Sequence, residues 1–299
     1  MTFLGLNLSI TLLDVMLLNC LLAYSAYPVF NVGRMNLSFV AFSGLGGYTG
    51  ALLVTRHAWN AWPAMVAGVV LSAAVAIPLG LVLGRVKGVY LGIATINLAA
   101  VFQVFIINMT SFTGGAQGIS GLPIVITTIA LAVATILIAV LFWALDRSRF
   151  GTGIRMQRVD ELLALSSGVF TNMNVSIMFV LSAAIGALHG GMTAFWYGFV
   201  SPEAYGFQAV ILAVAMVMLG GTTQWMGPLI GAAFFTIVPE WLRDFGVFKN
   251  MVTGVILLIV IYFFPEGIAG AVSTWRGLRR AKSSAESARR AGKAAAAKV

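Results

Sequence analysis

Apolar residues run along this chain in blocks rather than in stripes. Nine blocks stand out: Leu8 to Phe30, Leu37 to Thr55, Pro63 to Gly84, Val89 to Asn108, Ile124 to Leu145, Val175 to Tyr197, Phe207 to Gly220, Leu229 to Trp241 and Met251 to Phe264. A helix of about 20 apolar residues crosses a hydrocarbon core about 30 Å thick, and most of the blocks reach that length. The blocks do not alternate with period two, as the strands of a membrane barrel must. The pattern therefore predicts an all-α polytopic membrane protein with about 8–10 transmembrane helices. The seventh and eighth blocks are short, which leaves open whether they cross fully or form broken or re-entrant elements.

One polar insert interrupts the blocks. Asp146 to Asn172 carries four arginines and three acids between two membrane-length runs, so it must lie in water on one side of the bilayer. Within it, Val159, Leu162, Leu163 and Ser166 fall at i, i+3, i+4 and i+7, the spacing of one helix face. Arg155, Arg158 and Glu161 flank that face, and Gly168 stands where such a helix would stop. A short amphipathic helix in this position has three uses. It connects two spans, lies on headgroups, or docks into a partner.

Composition narrows the class further. Of 299 residues, 60% are hydrophobic and 9% charged, against about 25% charged in an ordinary soluble domain. The net charge of +9 is not a nucleic-acid signature, because eight of the eighteen basic residues lie after Ser273 and most others in short connectors. With the insert placed in the cytoplasm, alternation puts 15 basic residues inside and only Arg56, Arg243 and Lys249 outside. That asymmetry predicts a cytoplasmic tail, an outward N-terminus and an outward loop between Thr110 and Pro123. The first block carries Asp14 and has no basic segment before it, so it reads as a retained span, with Ala23-Tyr24-Ser25-Ala26 leaving a cleavage site open as the alternative. The chain divides into a transmembrane domain, 1–273, and a basic, Ala- and Ser-rich tail, 274–299. The tail is either disordered or a helix on anionic headgroups.

Catalytic chemistry has little to work with. The lone Cys20 rules out a disulfide framework, and no metal, cofactor, nucleophile-elbow or phosphate-loop motif occurs. Asp14 lies within the first block, either buried or near an interface, and no row of intramembrane acids suggests an ion relay. Thr95, Asn97 and Gln103 in the fourth block either bond neighbouring helices or line a polar path for an uncharged or zwitterionic solute. Gly46 with Gly50, Gly80 with Gly84, Gly186 with Gly190 and Gly227 with Gly231 read as helix-packing sites within one bundle. Gly114, Gly115, Gly118 and Gly121 crowd the outward loop, which predicts left-handed turns able to cap a pore or meet a docking protein.

Several of these stretches together resemble the branched-chain amino acid ABC transporter permease family, in its LivM-type branch. TGGAQGISGLP after GVYLGIATINLAAVF carries the resemblance most strongly. NLSFVAFSGLGGYTGALL, VLSAAIGALHGGMTAFWYGFVSPEAYGF, MVMLGGTTQWMGPLIGAAFFTIVPEWLR and FFPEGIAG follow in the family's order, over roughly Leu37 to Gly270. The resemblance implies an importer permease bundle in the inner membrane. It also implies a second permease subunit, two cytoplasmic ABC ATPase subunits and an extracytoplasmic solute-binding protein, with hydrolysis confined to the ATPases. It assigns the insert to ATPase coupling: Glu161 and Gly168 match the family's glutamate–glycine spacing, Ala164 keeps a small residue, and Asp160, Leu162 and Leu163 complete the segment. Arg155 and Arg158 would lie beside that helix. Leu163 departs from the pattern, since the family usually has a second alanine there. The implied solute is a branched-chain or other hydrophobic amino acid. Urea, short amides and other amino acids remain open as cargo, as does an ion-coupled transporter that needs no ATPase.

The charge asymmetry makes a direct prediction about sidedness. On a background with Cys20 replaced by serine, Ser120→Cys in intact cells reacts with a membrane-impermeant thiol reagent, and Ser167→Cys does not. Labelling of Ser167→Cys alone would reverse the assigned orientation.

Overall fold

The computed structural model describes residues 10–86 and 88–242, together with 2–3, 6–7 and the single positions 254, 267 and 270. Apart from Gly254, the ninth block, Met251 to Phe264, lies outside the described residues, as does the tail after Ser273. A two-residue antiparallel pair, β1 (Thr2–Phe3) with β2 (Leu6–Asn7), precedes the helices. Then come α1 (Ile10–Asn31), α2 (Phe39–His57), α3 (Ala61–Leu83) and α4 (Val89–Asn108). A compact loop holds α5 (Thr110–Thr113), a 3-10 turn (Gly115–Gln117) and β3 (Ile119–Ser120). After α6 (Thr128–Arg147) the insert forms α7 (Arg149–Val159) and α8 (Glu161–Ser166). The described residues end with α9 (Thr171–Tyr197), β4 (Phe199–Val200), a 3-10 turn (Pro202–Tyr205), α10 (Phe207–Gly220) and α11 (Gly227–Trp241).

Five of these helices, α1, α3, α4, α6 and α9, are long and apolar enough to cross a membrane. The protein is an all-α polytopic membrane protein. The eight blocks that fall on described residues each coincide with one helix, to within four residues at either end. At about 1.5 Å per residue, α10 and α11 are only about 21 and 22 Å long. They form a short antiparallel hairpin in which Gly231 sits so close to Met216 that a Cβ would overlap its carbonyl oxygen.

Burial is decided by side-chain size more than by hydrophobicity. Lipid is as apolar as leucine, so helices gain by close packing and by internal polar contacts instead of by leaving water. The α9 helix, rich in Gly, Ala and Ser, is the most buried of the long spans and packs along α1, α2 and α3. Its partner face on α2 carries Gly46, where a Cβ would overlap the Ala187 carbonyl. Reciprocally, a Cβ on Gly186 would fall 2.6 Å from the Phe39 carbonyl oxygen, and one on Gly190 would overlap that of Ser43. The sequence spacing of these glycines therefore reports packing within the chain. By contrast α3, α4 and α6 turn Val, Ile and Leu outward.

A few polar ties fix the helices against one another. Ser182 Oγ donates to the Ser25 carbonyl at 2.5 Å, joining α9 to α1. Asn19 donates to Thr236 Oγ1 at 2.9 Å, joining α1 to α11. Tyr24 donates to the Trp225 carbonyl at 2.8 Å, and its ring stacks on Phe142 of α6 with centroids 5.5 Å apart.

The two ends of the bundle are distinct. One gathers the insert, the α1–α2 connector and the α3–α4 connector, since Arg34 reaches both Glu161 and the Val86 carbonyl. The opposite end gathers the glycine loop, where Arg56 bonds the Ser111 carbonyl and lies 4.6 Å over the Phe112 ring. There β3 pairs antiparallel with β4, Ile119 opposite Val200.

The α2–α9 contact leads to a stability prediction. Gly190→Leu forces a side chain into the α2 backbone and lowers stability by at least about 2 kcal/mol, the upper range of overpacking costs. Gly92→Ala, whose nearest neighbour would be Met35 Cβ at 3.6 Å, stays within about 1 kcal/mol of wild type. Thermal unfolding in detergent distinguishes the two, and equal behaviour would refute the close-packed α2–α9 contact.

Candidate coupling site on the polar insert

The insert is built as two helices of opposite character. Ser148 caps α7 by accepting from the Gly151 N–H at 3.1 Å. From there α7 turns Gly151, Ile154 and Gln157 into the bundle. Gln157 accepts from Asn174 at 3.2 Å and donates to the Thr171 carbonyl at 3.3 Å, fastening α7 to the start of α9. Arg158, half-buried, donates to the Thr222 carbonyl at 3.0 Å and to Thr222 Oγ1 at 2.6 Å, in the turn of the α10–α11 hairpin. Burial lowers the pKa of its guanidinium from the ordinary arginine value, and it remains a cation at neutral pH. Arg155 bridges the Asp146 carbonyl at 2.7 Å and Thr152 Oγ1 at 3.0 Å on the exposed side. The two arginines therefore do not flank one helix face. Arg155 staples α6 to α7, and Arg158 points inward.

The single helix expected across Val159 to Ser166 is broken at Asp160. That residue takes an extended backbone, φ −151° and ψ 115°, and its carboxylate accepts from the Leu162 and Leu163 N–H groups at 2.8 and 3.1 Å. An aspartate satisfying two N-terminal amides starts a new helix more favourably than it continues an old one. Gly168, with φ +81°, ends α8, and the Val169 N–H closes back onto the Ala164 carbonyl at 3.0 Å.

This short, doubly capped helix has two sides. Ala164 is fully buried against the bundle. Val159, Leu162 and Leu163 stand 86%, 76% and 55% exposed, with Leu165 and Phe170 beside them. Glu161 does not share that outer ridge. Its Oε1 accepts from Arg34 Nη2 at 2.9 Å, with Thr171 Oγ1 at 3.5 Å.

The residues weighed as a path are not brought together. Thr95 is buried and accepts from the Leu37 N–H at 3.0 Å at the insert end. Asn97 is exposed on the outside of α4 and bonds the Ile93 carbonyl of its own helix. Gln103 lies near the opposite end, donating to the Pro202 carbonyl at 3.3 Å. In the glycine loop, Gly114, Gly115, Gly118 and Gly121 all have positive φ, between 61° and 80°. A Cβ at Gly118 would overlap the Val200 carbonyl, so the loop is fastened to β4 and is not a loose connector. Asp14 is buried and accepts from Trp196 Nε1 at 3.2 Å, near the start of α1 and the end of α9, so it is both covered by the bundle and close to one of its ends. Among the described residues no group of His, Cys, Asp and Glu side chains could hold a metal ion.

Sequence inspection missed Arg34 and Thr222, the partners of the two inward-facing insert residues. Arg34 stood only among the 15 basic residues placed inside, and Thr222 only within the stretch MVMLGGTTQWMGPLIGAAFFTIVPEWLR.

A helical bundle with several membrane-length apolar spans and a capped short helix on a polar insert is the architecture of a polytopic membrane protein. Residues 8–264 match the family model of the branched-chain amino acid transport system permease component, and the chain belongs to that family. It is 25% identical over 271 residues to the high-affinity branched-chain amino acid transport system permease protein LivM of Salmonella typhimurium. The match covers 79% of this chain and 64% of the relative. LivM of Escherichia coli K12 matches to the same extent. The permease protein LivH of Escherichia coli K12 is 29% identical over 125 residues, 41% of this chain and 40% of that one. The chain thus spans about 64% of the length of the LivM relatives. No solved structure matches it.

Proposed function

We propose that this chain is the membrane-spanning subunit of an ATP-driven importer that moves branched-chain or other hydrophobic amino acids across the bacterial inner membrane. One observation carries the reading: the exposed ridge of Leu162 and Leu163 on a capped helix anchored to the bundle, continued by Val159 at the end of α7. Apolar side chains held in water by a fixed scaffold call for a partner surface, and in our reading that partner is a cytoplasmic ATPase, as suits a permease component of a transport system. The chain has no phosphate-loop motif of its own, so it hydrolyses no ATP by that route.

In this reading the insert end and the tail face the cytoplasm, as the arginine and lysine asymmetry favours. Asp160, Leu162, Leu163 and Gly168 shape the helix that enters the ATPase, with Arg155 fixing its base and Arg158 tying α7 to the α10–α11 hairpin. Two ATPases drive a pair of permeases, and similarity to both LivM and LivH supports a related but separate second permease. The glycine loop faces the solute-binding protein, which carries most of the solute selectivity. Closure of the ATPases on ATP displaces α8, tilts the helices attached to it and exchanges the open side of the path. Thr95, Asn97 and Gln103 do not form a path within one chain. Of the three, Asn97, exposed on α4, is the one placed to meet solute or the second permease.

Leu162→Asp puts a charge on the ridge, and Gly168→Trp places a side chain on backbone with φ +81°. Each variant reaches the membrane in wild-type amounts, and each loses at least tenfold in ATPase co-purification and in uptake. Wild-type values in both assays for both variants would reduce the insert to a solvated connector.

A further inference from the structure

The α1–α2 connector makes a contact that reaches across three segments of the chain. It begins with a tight stop to α1, where the Gly33 N–H donates to the Phe30 carbonyl at 3.0 Å and the Arg34 N–H to that of Val29 at 3.1 Å. Gly33 then lies against Arg158 of α7, with Arg158 Cγ only 3.4 Å from the position a Cβ would take. The Arg34 side chain leaves this corner 9% exposed. Its Nη1 donates to the Val86 carbonyl in the α3–α4 connector at 3.2 Å, and its Nη2 to Glu161 Oε1 of α8 at 2.9 Å. Glu161 is 27% exposed and is the only charged residue of α8.

A guanidinium is a rigid planar fork, so its two donors move as one body. Any displacement of Glu161 is therefore felt at Val86 and at the α1–α2 corner together. Both groups are largely withdrawn from water, so removing one leaves the other poorly compensated, unlike a solvated surface pair. The apolar ridge of α8 faces away from this contact. The helix thus has one side for an outside surface and one carboxylate turned to the bundle.

We infer that Arg34 is a positioning residue that carries displacement of α8 to the α1–α2 and α3–α4 connectors, and that Glu161 acts inward through Arg34 and not as a contact to the ATPase. The inference rests on the reading of α8 as the docking helix. It divides that helix into a docking side, Leu162 and Leu163, and a transmitting side, Glu161.

The test compares Arg34→Gln, Glu161→Gln, Arg34→Lys and the double Gln variant in cells expressing the complete transporter. Both single Gln variants keep wild-type ATPase co-purification and lose at least tenfold in uptake and in solute-stimulated hydrolysis. Because they break one contact, the double variant loses no more than the worse single. Arg34→Lys, which keeps the charge but not the fork, recovers part of the uptake that Arg34→Gln loses. The inference is overturned by wild-type uptake in Arg34→Gln, by multiplied losses in the double variant, or by full recovery with lysine, which would make the fork unnecessary. Loss of the ATPase from the Glu161→Gln complex also overturns it, since that places the carboxylate at the docking surface. The docking reading fails separately, if Leu162→Asp retains the ATPase.

Discussion

The close approach of α9 to α2 is the constraint on which the rest of the structure depends. A bilayer offers no hydrophobic drive between helices, so the bundle is held where backbones can touch. Gly46, Gly186 and Gly190 let them do so, and a single Cβ at any of these positions would fall well inside van der Waals contact with a carbonyl oxygen. With α9 fixed against α2, and against α1 through Ser182 and Ser25, its first turn at Thr171 becomes a fixed point at the insert end. Both halves of the insert are fastened there, α7 through Gln157 and Asn174 and α8 through Glu161 beside Thr171.

That arrangement separates rigidity from presentation. The α7 helix turns Gln157 and Arg158 inward, onto Thr171, Asn174, Thr222 and the end of α1. It acts as a plate that closes one end of the bundle and touches the α10–α11 hairpin. The α8 helix is too short to be stable alone, since isolated helices below about 12–15 residues are marginal in water. It persists through its Asp160 cap, its glycine stop and its burial of Ala164. What it displays outward is apolar, and what it keeps inward is its one charge.

The spans were legible in the sequence because their length is set by bilayer thickness and their ends by charge. The fourth and seventh blocks coincide with α4 and α10 at both ends. The glycine pairs were legible as packing sites for the same reason, because close approach in lipid demands small residues at helical spacing. The break at Asp160 was not read, although Asp-Glu-Leu-Leu is a plausible cap, because the apolar spacing from Val159 to Ser166 fits one helix equally well. The two halves do keep Val159 and Leu162 on the same outer side, so the pattern located the ridge while missing its construction. Thr95 and Asn97 are two positions apart, about 200° around a helix, so they leave opposite sides of α4, one buried and one exposed. The Arg34–Glu161 contact spans 127 residues and left no trace in local pattern. Only the packing of α1 against α9 brings its two ends together.

The central claim is that the outer ridge of α8 is where an ATPase docks. It is tested most directly by placing a photo-crosslinkable residue at Leu162 in cells that express the complete transporter, with the same probe at Ser120 as the reference. The account predicts an adduct of this chain with the ATPase subunit from position 162 and none from position 120. No ATPase adduct at 162, or equal adducts from both ends of the bundle, would contradict it.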